Sequence, residues 1–333
     1  MPAADDSAAA LRLAVDGLAA GREVVLATVL RTFGSSPRPP GSLWAIVEPA
    51  DARPAMEGSV SGGCVEDDLL DWLRGPGRRS RRPLRRCYDG SSHPGLPCGG
   101  TLEVLVEWPR DPATLRPALA ALERRRGIWR ELDLASGAVD WHEATDGVAE
   151  GPVERGGRLW LPFGPSWRLL IVGAGPVGEH LARQGMALGF DVTVCDPRPA
   201  TRLAVPGVSL DRQAPERVIA EHGLDARSAV VTVAHDPRID DLALMDALES
   251  PAFHVAAMGS RQTSAARRAR LAELGVPTGR LCAPAGLDIG SHTPAEIAVS
   301  IAAELVAARQ VARQAVSPPS VPDRFAGVRV DGG

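Results

Sequence analysis

An apolar run followed at once by spaced glycines constrains the fold of this chain more than any other feature. Residues 169–172 are apolar throughout, which is typical of a central strand in a parallel sheet covered by helices. Gly173, Gly175 and Gly178 then complete the pattern G-x-G-x-x-G. The first glycine permits a tight turn, the second lets a pyrophosphate approach the backbone, and the third lets a helix pack on the strand. The stretch predicts the start of a Rossmann-type domain.

A second strand supports this prediction. Residues 191–196 read D-V-T-V-C-D, and Asp196 falls about 20 residues after the glycines, where a carboxylate accepts hydrogen bonds from a ribose diol. Further apolar strands are predicted at residues 229–234 and 254–258. The sequence therefore predicts an α/β fold with a doubly wound parallel sheet in residues 167–315.

Residues 1–162 predict a second α/β domain, which bears cysteines. Within it, Ser61, Gly62 and Gly63 precede Cys64, and helical spacing follows. A helix N-terminus favours thiolate over thiol, which makes the sulfur a nucleophile or a soft metal ligand. Three carboxylates in the same first turn oppose this effect, so the sequence does not determine whether the pKa of Cys64 is raised or lowered. The alternative is a small buried cysteine that only packs.

A second glycine-flanked cysteine follows in the run Cys98, Gly99 and Gly100, directly before an alternating strand. Cys64 and Cys98 do not form C-x-x-C and no histidine pair at zinc spacing lies nearby, which argues against a structural zinc site. Two separate thiols beside glycines fit a sulfur or soft-metal site, with Cys64 as the predicted metal ligand. The arginine-rich residues 75–86 are predicted to form an exposed loop, which is either a solvated face or a surface that receives an anionic partner, and Cys87 is predicted to be structural.

Composition excludes several classes of function. A chain of 333 residues accommodates two domains, and a formal charge of -4 with a pI of about 6.0 argues against nucleic-acid binding. The sequence contains arginine but no lysine, so neither a Schiff-base lysine nor a P-loop lysine is present. Without a membrane-length apolar run or a signal peptide, we expect no membrane partner and a cytoplasmic location.

Three further residues are candidates for the crevice at the ends of the parallel strands. His235 and Asp236 follow a predicted strand and form either a catalytic pair or a hydrogen-bonded loop. Arg261 meets either a phosphate or carboxylate ligand, or only a surface carboxylate.

Residues 293–296 predict a helix start with Thr293 as N-cap. The proline- and glycine-rich residues 316–333 predict a frayed tail.

Taken together, three motifs resemble the XdhC/CoxI family, the accessory factors of xanthine dehydrogenase and related molybdenum hydroxylases. They are G-S-V-S-G-G-C-V-E at residues 58–66, C-G-G at 98–100, and A-P-A-G-L-D-I-G-S-H-T-P-A-E-I-A at 283–298. The resemblance extends over nearly the whole chain. One departure is Ala285, where the family more often has a larger aliphatic residue, and this difference should alter packing rather than chemistry.

The resemblance implies binding of molybdenum cofactor, either molybdopterin or its cytosine dinucleotide form. It also implies support for sulfuration of the cofactor and delivery to an apo-molybdenum hydroxylase of the xanthine dehydrogenase type. A cysteine desulfurase is a further candidate partner, and we expect a homodimer. The expected cofactor-binding residues are Ser61, Gly62, Gly63, Cys64, Cys98, Gly99, Gly100, Gly173, Gly175, Gly178, Asp196, His235, Asp236 and Arg261.

Three functions remain open at this stage. The first is a cofactor chaperone without catalytic residues, with its cofactor held between the Cys64 turn and the carboxyl ends of the C-terminal strands. The second is an NAD(P)-dependent oxidoreductase that uses His235 or Asp236 as proton donor. The third is a regulatory protein that senses a dinucleotide. We favour the chaperone, because the cysteine-bearing domain supplies soft sulfur ligands rather than an acid or base.

Overall fold

The computed structural model describes residues 4–34, 38–48, 54–75, 82–89, 100–144 and 151–314. The helices in these ranges are α1 Ala4–Ala19, α2 Cys64–Arg74, α3 Arg116–Glu123, α4 Pro176–Ala187, α5 Pro215–His222, α6 Pro237–Glu249, α7 Arg261–Glu273 and α8 Pro294–Gln314. The first nine strands are β1 Glu23–Phe33, β2 Leu43–Glu48, β3 Ala55–Gly58, β4 Leu84–Asp89, β5 Thr101–Glu107, β6 Ile128–Asp133, β7 Val139–Glu143, β8 Val153–Arg155 and β9 Arg158–Phe163. The other six are β10 Arg168–Val172, β11 Asp191–Cys195, β12 Leu210–Asp211, β13 Ser228–Thr232, β14 His254–Ala257 and β15 Leu281–Cys282.

The first sheet is antiparallel, with the strand order β3-β2-β1-β5-β4. Its central strand, β1, is apolar on both faces, because successive side chains of a strand point to opposite sides. Leu26 packs with α1 in one core, and Val25 packs with Leu69 of α2 in another. The helix that begins at Cys64 therefore lies on the opposite face of this sheet from α1.

The second sheet is also antiparallel, in the order β7-β6-β9-β8. Leu132 and Leu161 of this sheet pack in the same core as α1. A buried ion pair also joins the two sheets, since Arg130 donates two hydrogen bonds of 2.9 Å to the carboxylate of Glu107. The two antiparallel sheets thus share one hydrophobic core.

The third sheet is parallel, in the order β12-β11-β10-β13-β14-β15. Counted from β10, this is the 3-2-1-4-5-6 order of the doubly wound dinucleotide-binding fold. Leu169 and Ile171 pack toward α4 and α8 on one face, while Leu170 and Val172 pack toward α5 and α6 on the other. The predicted α/β fold with a Rossmann-type sheet is confirmed.

Arginine side chains connect the parallel sheet to the chain before it. Arg125, which follows α3, donates a hydrogen bond of 3.0 Å from Nε to Asp225 and another of 3.1 Å to the carbonyl of Ser166. Arg227 donates to the carbonyl of Pro165 at 2.8 Å. Pro165 and Ser166, which precede β10, therefore accept hydrogen bonds from both parts of the chain: from Arg125 before them and from Arg227 directly before β13.

Some predicted elements differ in the structure. A single helix at residues 110–126, which the sequence also predicts, is replaced by a 3-10 turn at Pro112–Thr114 followed by α3, because a proline inside a helix removes a backbone donor. Part of the predicted loop at residues 75–86 forms β4, an edge strand that pairs with β5, and its arginines Arg85 and Arg86 pair with carboxylates of neighbouring elements. Cys87, predicted to be structural, is exposed on that strand.

Two other predictions fall outside the described residues: the tail at 316–333, and the positions of Cys98 and Gly99. The predicted N-cap of α8 is confirmed, since Thr293 Oγ1 accepts the N–H of Glu296 and Glu296 accepts the N–H of Thr293. Within the described part of the chain, no helix combines the length and apolar character needed to cross a membrane.

Candidate functional site

The glycine turn after β10 contains two glycines that the fold itself requires. Gly173 has φ +115°, and a Cβ there would lie 2.5 Å from the backbone nitrogen of Ala234. A Cβ on Gly178 would lie 2.1 Å from the carbonyl oxygen of Gly173. Real Cβ atoms do not approach other atoms so closely, so both positions exclude a side chain because of neighbouring backbone.

Gly175 differs from these two glycines. It is the N-cap of α4, its φ is -75°, and among the described residues a Cβ placed there would have no other atom within 4 Å apart from its chain neighbours. Neither sterics nor backbone strain within the chain requires glycine at this position. The open space lies at the positive end of α4, where free N–H groups receive an anion. This turn is therefore able to accept a phosphate group close to the backbone.

Asp196 lies directly after β11, beside the glycine turn, and is fully buried. One carboxylate oxygen, Oδ2, accepts the N–H of Ala174 at 2.9 Å. Arg198 donates to Oδ1 at 2.9 Å and to Oδ2 at 2.6 Å. Burial raises the pKa of Asp196, but the hydrogen bonds from Arg198 and Ala174 outweigh it and hold the pKa below its usual range. A ribose diol would have to displace Arg198 to reach this carboxylate.

A cleft of about 560 Å³ lies at the carboxyl ends of β13 and β14. His235 and Arg261 both line it, as expected for residues that follow parallel strands. His235 is exposed with φ 60°, and Arg261 is 90% exposed with Asp288 at 3.5 Å. The structure thus brings these two predicted residues to one cleft, with the Arg261 guanidinium accessible to an anionic ligand.

Asp236 has a structural task at the same edge of the sheet. Its carboxylate caps α6 by accepting the N–H of Arg238 at 3.0 Å, and the Arg238 guanidinium pairs with it at 2.8 Å. The hydrogen bonds from Arg238 lower the pKa of Asp236 to about 2. A carboxyl group with such a pKa stays ionised near neutral pH, so Asp236 is a poor proton donor.

The turn before Cys64 is organised by Glu66. Its carboxylate accepts the N–H groups of Val60, Ser61 and Gly63 at 2.8, 2.9 and 2.9 Å, and the hydroxyl groups of two serines also donate to it. Burial alone would raise the pKa of Glu66, but these hydrogen bonds lower it to about 2. The negative charge of Glu66 is therefore stabilised by hydrogen-bond donors of its own turn.

Ser61 is buried. Its hydroxyl donates a hydrogen bond to Glu66 and accepts one from the N–H of Val65 at 2.8 Å. Gly62 and Gly63, by contrast, are exposed. Gly63 is the N-cap of α2, which begins at Cys64, and a Cβ on Gly63 would meet no atom within 4 Å. The two glycines, rather than the serine hydroxyl, form the exposed surface of this turn, although their N–H groups are donated to Ser59 and Glu66.

The remaining predicted residues are less fully placed. Gly100 is buried directly before β5, whereas Cys98 and Gly99 lie outside the described residues. The placement of the Cys64 turn against the Rossmann crevice, as one site, stays a prediction. Sequence reasoning missed a cluster of His254, Cys282 and Glu304, whose ligand atoms lie within 4.8 Å of one another. It also missed the role of Glu66, although a glutamate three residues after an N-cap is a recognisable signal.

The strand order and the glycine turn define a Rossmann-type protein that carries an additional antiparallel domain at its N-terminal side. Residues 169–305 match the family model described as the XdhC Rossmann domain, and residues 17–87 match that of the XdhC and CoxI family. The two models together account for more than half of the chain. The chain belongs to the XdhC and CoxI family.

Three relatives resemble this chain over most of its length. The molybdenum cofactor insertion chaperone PaoD of Escherichia coli is 28% identical over 319 residues, covering 92% of this chain and 89% of that protein. A probable xanthine dehydrogenase subunit of Bacillus subtilis is 26% identical over 320 residues, covering 86% of this chain and 94% of that protein. A crystal structure of a Bacillus halodurans protein described as a xanthine dehydrogenase has a TM-score of 0.67 at 25% identity, covering 92% and 98%.

Proposed function

We propose that this protein binds the molybdenum cofactor as cargo and delivers it to an apo-hydroxylase of the xanthine dehydrogenase type. The E. coli relative is named as a molybdenum cofactor insertion chaperone, and it matches this chain over 92% of its length. The B. subtilis relative is named as a probable xanthine dehydrogenase subunit. Both names agree with the role that the sequence motifs imply.

The observation that carries the proposal is that two glycine N-caps are open to a ligand. Gly63 precedes α2, Gly175 precedes α4, and a Cβ on either would meet no atom within 4 Å. The start of α4 offers free N–H groups and the positive end of a helix dipole to an anion. At the start of α2 the N–H groups of Gly63 and Val65 are already donated to Glu66 and Ser61, so this turn offers open space beside Cys64. The molybdenum cofactor carries a phosphate group in either of its two forms, which is the type of group that a helix start with free N–H groups binds.

Each of the two helix starts would contribute a different contact. In this proposal the α4 turn holds the phosphate end, Arg261 meets an anionic oxygen across the cleft, and the thiol of Cys64 meets the metal or its terminal sulfur, since thiolates are soft ligands. A site assembled from two parts of a chain releases its ligand when the parts separate, as delivery requires. Support of cofactor sulfuration, with a cysteine desulfurase as donor, belongs to the same proposal.

The Rossmann strand order also favours a second candidate function, which is NAD(P) binding. The α4 turn suits the pyrophosphate of such a cofactor as well. The Asp196 carboxylate, however, is already occupied by Ala174 and Arg198, and Asp236 is a poor proton donor. These contacts favour the chaperone over the oxidoreductase.

The test is a pair of glycine variants that differ only in their position. A Cβ at residue 175 meets no other described part of the chain, so Gly175→Val should fold normally while it fills the space at the α4 turn. Gly279→Val is the matched control, since a Cβ there also meets no atom within 4 Å and its φ is not positive. Both proteins and the parent are purified from cells that make the cofactor, and molybdenum, pterin and nicotinamide are quantified.

The proposal requires molybdenum and pterin in the parent and in Gly279→Val, with a loss of at least about tenfold in Gly175→Val, because the added side chain excludes the phosphate. Nicotinamide in place of molybdenum in the parent would support the second candidate. Equal molybdenum content in all three proteins would contradict a cofactor site at the α4 turn.

A further inference from the structure

A cluster of three side chains lies between the parallel sheet and α8, separate from the glycine turn. His254 opens β14, Cys282 ends β15 at the edge of the sheet, and Glu304 belongs to α8. The Nδ1 atom of His254 lies 3.9 Å from Sγ of Cys282. Its Nε2 atom lies 3.3 Å from Oε2 of Glu304. The imidazole thus stands between a thiol and a carboxylate.

The surroundings favour a charged imidazole. His254 is 5% exposed, and burial by itself lowers the pKa of a histidine, yet the contacts with Cys282 and Glu304 outweigh this and raise the pKa of His254 to about 9. A cationic imidazole next to a sulfur stabilises the thiolate. A cysteine, a histidine and a group that orients the histidine recur in this order in enzymes with an activated cysteine.

A metal site is the other arrangement that these residue types suggest. A metal ion, however, bonds only one nitrogen of an imidazole, and the two nitrogens of His254 face different partners. The direct contacts are therefore those of a hydrogen-bonded chain, in which each nitrogen of His254 has its own partner.

We propose that Cys282 is a nucleophile whose sulfur attacks the sulfur–sulfur bond of a disulfide or persulfide. Its Sγ forms a new S–S bond while the attacked S–S bond breaks, and the leaving sulfur takes the bonding electron pair as a thiolate. A disulfide leaves a mixed disulfide on Cys282. A persulfide, attacked at its terminal sulfur, leaves a persulfide on Cys282. Neither reaction consumes a separate oxidant or reductant.

The backbone around Cys282 is held in place, which favours a defined approach to the sulfur. Arg268 donates hydrogen bonds of 2.8 Å to the carbonyls of Leu281 and Ala283, on either side of Cys282. Oxygen Oε2 of Glu304, which faces His254, also accepts the N–H of Gly286 at 2.9 Å, and Gly286 lines the cleft. The Glu304 carboxylate therefore contacts both His254 and a residue that lines the cleft.

The test compares cysteines within the same full-length protein. Cys87 is exposed, whereas burial raises the pKa of the Cys195 thiol to about 12, so these two serve as an exposed and an inert reference. The parent, His254→Gln and Glu304→Gln react with a limiting amount of an aromatic disulfide. After quenching, peptide mass spectrometry gives the extent of reaction at each cysteine over a range of pH. A parallel reaction with a small-molecule persulfide tests for the addition of one sulfur atom.

We expect Cys282 to react at least about tenfold faster than Cys87 near neutral pH, because the imidazole of His254 lies beside its sulfur. The variant His254→Gln should lose this advantage while Cys87 keeps its rate, and unchanged protection of Cys195 shows that the fold is intact. Glu304→Gln should lose part of the rate advantage of Cys282 over Cys87. The proposal is overturned if Cys282 reacts no faster than Cys87 in the parent, or if its rate is the same in His254→Gln.

Discussion

The carboxylate of Asp196 accepts a hydrogen bond from the backbone N–H of Ala174 at 2.9 Å. This bond ties the end of β11 to the glycine turn after β10. The same carboxylate pairs with Arg198, which is 41% exposed, whereas Asp196 is fully buried. The aspartate therefore shapes the turn from within, and the arginine covers it from the solvent side.

The first prediction concerns the two members of this pair. Asp196→Ala should lower the free energy of unfolding by about 1–3 kcal/mol, because it leaves the N–H of Ala174 buried without an acceptor. Arg198→Ala should cost less than about 1 kcal/mol, since the arginine is partly in solvent. Denaturant unfolding measures both. If NAD is a ligand, Arg198→Ala should tighten its binding by freeing the carboxylate, and calorimetry with unchanged affinity would show that Asp196 does not contact a ribose.

The second prediction separates two glycines of one motif. Gly178→Ala should destabilise the protein by at least about 2 kcal/mol, because its Cβ would lie 2.1 Å from the carbonyl oxygen of Gly173. Gly175→Ala should change stability by no more than about 0.5 kcal/mol, since its Cβ meets open space. Thermal unfolding of the two variants beside the parent checks this, and equal losses in both would contradict the different roles assigned to them.

The third prediction concerns acid stability. The Glu66 pKa falls from 4.5 to about 2 on folding, so its charged form stabilises the protein above pH 4.5 and this contribution is lost as the pH falls toward 2. The contribution is at most about 3 kcal/mol. Glu66→Gln should therefore weaken the dependence of unfolding free energy on pH in this window.

Asp67→Asn is the control for Glu66→Gln. Asp67 is adjacent in the sequence, but its side chain is exposed. The acid dependence should stay close to that of the parent in this variant. A parent-like slope in Glu66→Gln as well would show that the hydrogen bonds of the turn do not stabilise the charged carboxylate.

The fourth prediction concerns the thiol at the start of α2. Cys64→Ala should lower the molybdenum content of the purified protein by at least about tenfold, because it removes a soft ligand. The unfolding transition should change little, since Glu66 holds the turn together. Cys87→Ala, at an exposed strand position, is the control and should retain molybdenum. Parent-like molybdenum in Cys64→Ala would remove the proposed metal contact.

Much of the Rossmann half follows from local signals. The apolar run before Gly173 predicts β10, and Thr293 with Glu296 predicts the start of α8, because strand burial and helix capping depend on residues close in sequence. The identity of β4 does not follow in this way. Its arginines suggest a loop, and only pairing with β5 makes the segment a strand.

Sequence patterns do not show two features of the structure. One is the pairing of Asp196 with Arg198, and the other is the cluster around His254. Arg198 follows Asp196 by two positions, but its pairing with that carboxylate depends on how the chain turns after β11. His254, Cys282 and Glu304 lie on three different elements. Their meeting requires the register of β14 on β15 and the docking of α8, which are long-range properties of the fold.

The requirement for glycine at residues 173 and 178 comes from the neighbouring backbone, with or without a ligand. A descendant of this chain that lost its ligand but kept its sheet would retain both glycines, and only position 175 would be free to drift. Two of the three glycines are thus required by the fold, whereas the third leaves space that a bound phosphate would fill. A comparison of related chains that scores residue 175 separately should therefore sort those that still bind a phosphate from those that preserve only the scaffold.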